Sequence, residues 1–225
     1  MSTHVRKDLS FQVAMYFIER ATLKMVDLDT VIMAAIVPYI LILEKISSKK
    51  LSKFAARKLC HAGCGLGMML LDSTRTESQV FVWTIAASSI LMTWNLSPLP
   101  PFRFARPKDV GITGYLILVS MWFAMELPPT VLAPLFFADP AGAVIGKFAT
   151  RQLGHDVNLA WYDQKTIAGT LAVFIFTYFT IMFEVSNSAR ITIATAAAFV
   201  EAIGGEYDNL GIAAVVICAW HWTQL

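Results

Sequence analysis

Charge is what this sequence has little of. Acidic and basic residues fill 15% of its 225 positions and apolar residues 56%, where an ordinary soluble domain is about a quarter charged. A soluble domain of this length keeps too much surface to hide that apolar content. The expectation is therefore an all-α, polytopic membrane helical bundle. Cysteine is scarce as well. Cys60, Cys64 and Cys218 all lie in apolar stretches, which excludes a disulfide framework. Cys60, His61 and Cys64 are one ligand short of a closed zinc site. The cysteines read as buried small residues. Net charge is only +2 and no long basic run with interleaved aromatics occurs, so nucleic acid is not an expected partner. The opening MSTHVRKDLSFQVAMYFIER lacks the basic, apolar, small-residue order of a cleavable signal peptide.

What the chain does have is a succession of apolar runs. Residues 9–26 mix Glu19, Arg20 and Lys24 with aromatics and read as an interfacial helix. Residues 1–27 thus form an N-terminal interfacial segment, and 28–225 a single transmembrane catalytic domain. Runs at 28–46, 58–71, 79–96, 110–127, 130–149, 167–184, 189–203 and 210–223 give about seven to eight transmembrane helices. If the loops alternate sides, one side collects Lys45, Lys49, Lys50, Lys53, Arg57, Lys58, Arg103, Arg106, Lys108, Lys147, Arg151 and Lys165. The opposite loops hold only Arg75 and Arg190. The positive-inside rule makes the first side cytoplasmic. His61, Asp139, Thr166 and Asp208 fall on that side too. Cations, acids and glycines at one face match a phosphate-handling site with a metal ion.

Four stretches carry the polar chemistry. In ADPAGAVIGK, Asp139 is a carboxylate inside an apolar run, costly unless paired. Pro140 removes a helical hydrogen bond, so 138–147 is expected to break and open into a polar cavity. Gly142 and Gly146 fit either close helix packing or backbone approach to phosphate. Gly142 to Phe148 is not a P-loop, because the glycine spacing is one short and Phe148 replaces the hydroxyl residue. In DQKTIAGTLAVF, Lys165 and Thr166 precede an apolar run with Gly169 and Thr170 in its first turn, an arrangement suited to an anion. In RKLCHAG, Arg57 and His61 share a helix face. In EAIGGEYDNLGIAAV, Asp208 and Asn209 follow a Gly-Gly bend and suit either a cation or a helix cap.

In this order the four blocks resemble the polyprenol kinase family, which includes dolichol, phytol and farnesol kinases and CTP-dependent diacylglycerol kinase. Arg57, Lys58 and His61 match its Arg-Lys-x-x-His. Asp139, Ala141, Gly146, Lys147 and Phe148 match its Asp, small-residue, Gly-Arg/Lys-Phe block. Lys165, Thr166, Ala168, Gly169 and Thr170 match its Lys-Ser/Thr block, and Asp208, Asn209 and Leu210 its final Asp-Asn-Leu. The likeness covers roughly residues 55–215. It departs at Ala138, Pro140, Ala149 and Tyr207, and Ala168 resembles the phytol kinase branch.

The resemblance implies transfer of the terminal phosphate of a nucleoside triphosphate, CTP above all, to a lipid alcohol such as phytol, farnesol, dolichol or diacylglycerol. It implies catalytic roles for Asp139, His61 and Lys165. Arg57, Lys58, Lys147, Thr166, Gly169, Thr170 and Gly146 would contact nucleotide or phosphate. Mg²⁺ would sit at Asp139, Asp208 and Asn209. Its setting would be a multi-pass protein of an endoplasmic-reticulum, plastid or other intracellular membrane, with its active site on the basic-loop side. Two other classes stand beside it: a CDP-lipid synthase, whose Lys-Asp, His-Gly-Gly and Asp-Arg-x-Asp pattern is missing here, and a small transporter, whose inverted repeats are not evident.

Overall fold

The computed structural model describes residues 27–225. The interfacial helix expected over 9–26 lies outside them. Eight helices follow one another: α1 (Leu28–Lys45), α2 (Lys53–Leu70), α3 (Thr76–Thr93), α4 (Val110–Ala124), α5 (Ala133–Leu153), α6 (Ile167–Thr180), α7 (Asn187–Ile203) and α8 (Asp208–Thr223). A 3-10 turn, Pro129–Leu132, leads into α5. A small antiparallel hairpin, β1 (Ala160–Tyr162) and β2 (Lys165–Thr166), separates α5 from α6. Each apolar run expected from the sequence coincides with one of the helices.

Local chemistry sets several of the helix starts. Ser52, Thr166 and Ser186 accept backbone N–H bonds from Ala55, Gly169 and Ala189 at the starts of α2, α6 and α7, the N-cap role of a short hydroxyl side chain. Asp109 does the same for α4 through Ile112 N–H, at 3.1 Å. The C-terminal carbonyls of α1 are held by Arg103, whose guanidinium donates to Leu43 and Glu44, where a cation also suits the helix dipole.

Helix α2 packs on both α1 and α5, α3 packs on α4, and α5 to α8 pack in succession. Phe123, Leu132, Leu135, Phe136, Val173 and Ile212 are fully buried at the centre. The pair α5 and α6 comes closest because glycine faces glycine. A Cβ on Gly146 would lie 3.1 Å from Gly169 Cα and 2.9 Å from the Thr166 hydroxyl. Close helix packing therefore accounts for the small-residue spacing.

Two expectations need restating. Residues 138–147 do not break: α5 runs unbroken through Pro140. A proline inside a helix removes its own N–H bond and crowds the carbonyl four residues back, and here the packing of Gly142 and Gly146 on α6 holds the following turns. Secondly, only Pro129–Leu153 among the described helices is both long and apolar enough to cross a membrane, whereas Val110–Ala124 and Ile167–Thr180 are apolar but shorter. The shortfall has two sources: helices of 15 and 14 residues, and charged opening turns such as those with Lys53, Arg57 and Lys58 in the first two turns of α2.

Candidate active site

Alternation of the helices brings the starts of α2, α4, α6 and α8 to one end of the bundle. There Asp139 of α5, Glu201 of α7 and Asp208 of α8 offer carboxylate oxygens that all lie within 4.8 Å of one another. Asp139 and Glu201 are buried, and Asp208 is half-buried. Three like charges so close repel strongly unless cations intervene, and two lysines do. Lys58 of α2 donates to both oxygens of Asp139, at 2.9 and 2.7 Å. Lys165 of β2 donates to Glu201 and, at 3.2 Å, to Asp208. Burial opposes the charge on Lys165, but the Glu201 and Asp208 carboxylates outweigh it and raise the ammonium above its ordinary value.

His61 lies one turn beyond Lys58 on α2. Its Nε2–H donates to the Leu135 carbonyl at 3.2 Å, because a carbonyl can only accept. Nδ1 is then the nitrogen free to take a proton, and it sits 3.6 Å from Asp139. The His61 ring packs on Tyr115 of α4, with centroids 4.6 Å apart. The buried Tyr115 hydroxyl and the buried Asn209 carbonyl oxygen have no hydrogen-bond partner, which is unusual for buried polar atoms.

The remaining sequence candidates divide. Arg57 reaches Asp109 at 2.7 Å, so it is held at this end of the bundle by the residue that caps α4. Lys147 is exposed and lies over the Phe54 ring, 4.4 Å from its centroid, outside the carboxylate cluster. Thr166 caps α6 through Gly169 N–H. Ile167 N–H donates to the Leu159 carbonyl and Ala168 N–H to the Asn158 side chain, at 3.0 Å each. The first N–H groups of α6 are thus already used, and the anion-binding end expected there has no free donor at 167–169. Gly169 and Gly146 are packed against each other. Thr170 accepts the Trp161 indole N–H at 2.7 Å.

Glu201 is the residue that sequence reasoning missed. A signal was present. It is an acid in the last turn of an apolar helix, where burial and the helix dipole both disfavour negative charge. Such a carboxylate needs a cation from elsewhere, and Lys165 supplies it. Asp109 was also overlooked, as both cap and Arg57 partner.

No family model matches the chain, and no curated protein and no solved structure is significantly similar to it.

Proposed function

We propose that this protein is a multi-pass membrane kinase of lipid alcohols, transferring the terminal phosphate of a nucleoside triphosphate such as CTP. The observation that carries the reading is the cluster itself. Three carboxylates from three helices, with Lys58, Lys165 and His61 against them, stand at one end of an apolar bundle. A stable core has no use for three converging acids, whereas phosphoryl transfer depends on placed charge.

The membrane reading is supported by the helix surfaces. Leu41 and Ile42 on α1, Leu66 on α2, Ile117 and Met121 on α4 and Phe179 on α6 are large apolar side chains that face outward. Exposed apolar surface of this extent marks an interaction with lipid or protein. The helix ends with cations gather on one side, in keeping with a cytosolic, nucleotide-facing site.

Carboxylate oxygens are the donor set of a hard cation, and their separation suits a shared ion. Asp139, Glu201 and Asp208 would hold Mg²⁺, with the unpartnered Asn209 oxygen beside Asp208. When bound, the ion would neutralise charge on the phosphates. The chain's own residues do the rest. Lys58 and Lys165 carry positive charge at the cluster, and Arg57 adds a third cation at the same end. His61 Nδ1 is positioned to accept the proton of the attacking hydroxyl. The Leu135 carbonyl fixes its ring. The core residues Phe136 and Leu135 beneath exclude water.

The test is transfer of label from γ-labelled CTP and ATP to phytol, farnesol, dolichol and diacylglycerol by the protein in vesicles. Labelled lipid phosphate is expected. Label reaching lipid only from the α-phosphate would replace the kinase by a cytidylyltransferase, and label on no lipid would remove both.

A further inference from the structure

We infer that the groove between α6 and α7 is the berth for the hydrocarbon chain of the acceptor alcohol. The inference rests on the lipid-kinase reading. The groove has a volume of about 420 Å³ and is walled by Leu171 and Phe174 of α6, Ala198 and Phe199 of α7, and Trp161 with Thr170 at one end. A second groove of the same volume lies among Val185, Ala189, Ala219 and Trp222. Size therefore does not single out the first; position does.

The first groove lies beside the helix ends that carry the carboxylate cluster. Helices α6 and α7 are antiparallel neighbours, so the start of α6 faces the end of α7. Ala198 and Glu201 are three residues apart and share a helix face, which puts the floor of the groove one turn from a buried carboxylate. On the other wall, Thr170 is one turn from Thr166, next to Lys165, which bonds Glu201. Polar groups occur at that mouth, where the Trp161 indole N–H meets the Thr170 hydroxyl. An indole there also suits a membrane–water boundary. The second groove is lined at the start of α7 and the end of α8, the opposite helix ends from Glu201 and Asp208.

The walls identify the occupant. Both are helices whose backbone groups are bonded internally, so the groove offers an extended peptide no ladder to join. What remains is apolar side-chain surface with the Trp161–Thr170 pair at one end and, at the other, Thr195, whose hydroxyl is spent on the Ile191 carbonyl; that matches an unbranched or isoprenoid chain ending in a hydroxyl. From Ile167 to Phe174 the helical rise spans about 10 Å, the reach of about eight methylenes. A longer chain would leave the groove past Phe174 and Thr195 and continue among membrane lipids. Recognition should therefore improve with chain length only over the first two isoprene units.

A farnesol analogue with a photoreactive diazirine on its last isoprene unit tests this on the full chain in phosphatidylcholine vesicles. Labelling is expected on α6 and α7 around Phe174 and Thr195. Unlabelled farnesol should compete, and the hydroxyl-free hydrocarbon farnesene should not. Thr195→Trp, at an exposed position, overfills the far end. It should raise KM for farnesol by about tenfold while leaving kcat and the KM for prenol unchanged. Ala189→Trp in the second groove should change none of these. Label on the second groove or on α1 and α2, or equal competition by farnesene, overturns the berth. Competed labelling of the groove without phosphate transfer keeps the berth and removes the kinase reading. Transfer with label elsewhere does the reverse.

Discussion

The two ends of the bundle handle buried acid differently. At the end built from Asp27, Asp29, Asp72 and Arg75, every group is answered locally. The buried Asp29 accepts from the Ser78 hydroxyl at 2.8 Å and from Asp72 N–H at 3.2 Å. Arg75 closes on Asp27 at 2.5 Å, and Asp72 accepts from Thr74. One buried carboxylate is thus held by neutral donors and a nearby guanidinium, which is how a fold satisfies an acid for structural reasons. At the other end three carboxylates converge, held by lysines from α2 and the hairpin, with unpartnered oxygens nearby. Such an arrangement concentrates more charge than stability requires, and close clusters of buried charge gather at functional sites. The first end is a clasp; the second is the end to which we assign the proposed chemistry.

The sharpest way to break the contrast is to neutralise one acid at each end. Asp139→Asn or Glu201→Gln should cut phosphate transfer by about a thousandfold, with helicity by circular dichroism and elution in detergent unchanged. Asp29→Asn should leave turnover per folded molecule as it was. Equal losses from both would erase the distinction between the ends.

Removing a cation at the charged end should show in stability as well. Lys58→Met leaves Asp139 buried and unpaired, and should destabilise the fold by about 3 kcal/mol. Adding Asp139→Leu in the same chain should restore much of that in thermal unfolding, without restoring transfer. A smaller effect is expected at the other end. Ser78→Ala removes one donor to buried Asp29 and should lower stability by about 1–2 kcal/mol with full activity.

Acid should act most weakly. The Arg75 guanidinium holds Asp27 below its ordinary value of 3.8, and the Thr74 N–H and hydroxyl hold Asp72 below its own. Both are carboxylates with depressed folded values. Their contribution is present above the unfolded value and is lost as pH falls through the lower, folded value. Thermal melts should show a small, salt-sensitive loss below about pH 4 that Arg75→Ala reduces.

Helices were the legible part of this chain. Apolar runs bounded by loops located all eight, because burial of an apolar face is a local pattern. Asp139, Lys165 and Asp208 were legible too, since charge next to oil needs a reason. What stayed hidden was pairing. Nothing local says that Lys58, not Arg57, reaches Asp139 across 81 positions, or that Lys165 reaches forward 36 positions to Glu201. Pro140 misled for the opposite reason: a strong local signal was overruled by packing against α6. Gly146 and Gly169 proved to be partners in one close contact, which spacing within each block alone could not reveal.

The central claim is that the three-carboxylate end transfers phosphate to a lipid hydroxyl. Its most direct measurement is a paired assay in vesicles with γ-labelled CTP and farnesol, comparing the native chain with Glu201→Gln. Labelled farnesyl phosphate from the native chain, and a thousandfold less from Glu201→Gln at equal folded protein, is the expected result. Equal labelling by both would contradict the claim, and so would no labelling of any lipid alcohol by the native chain.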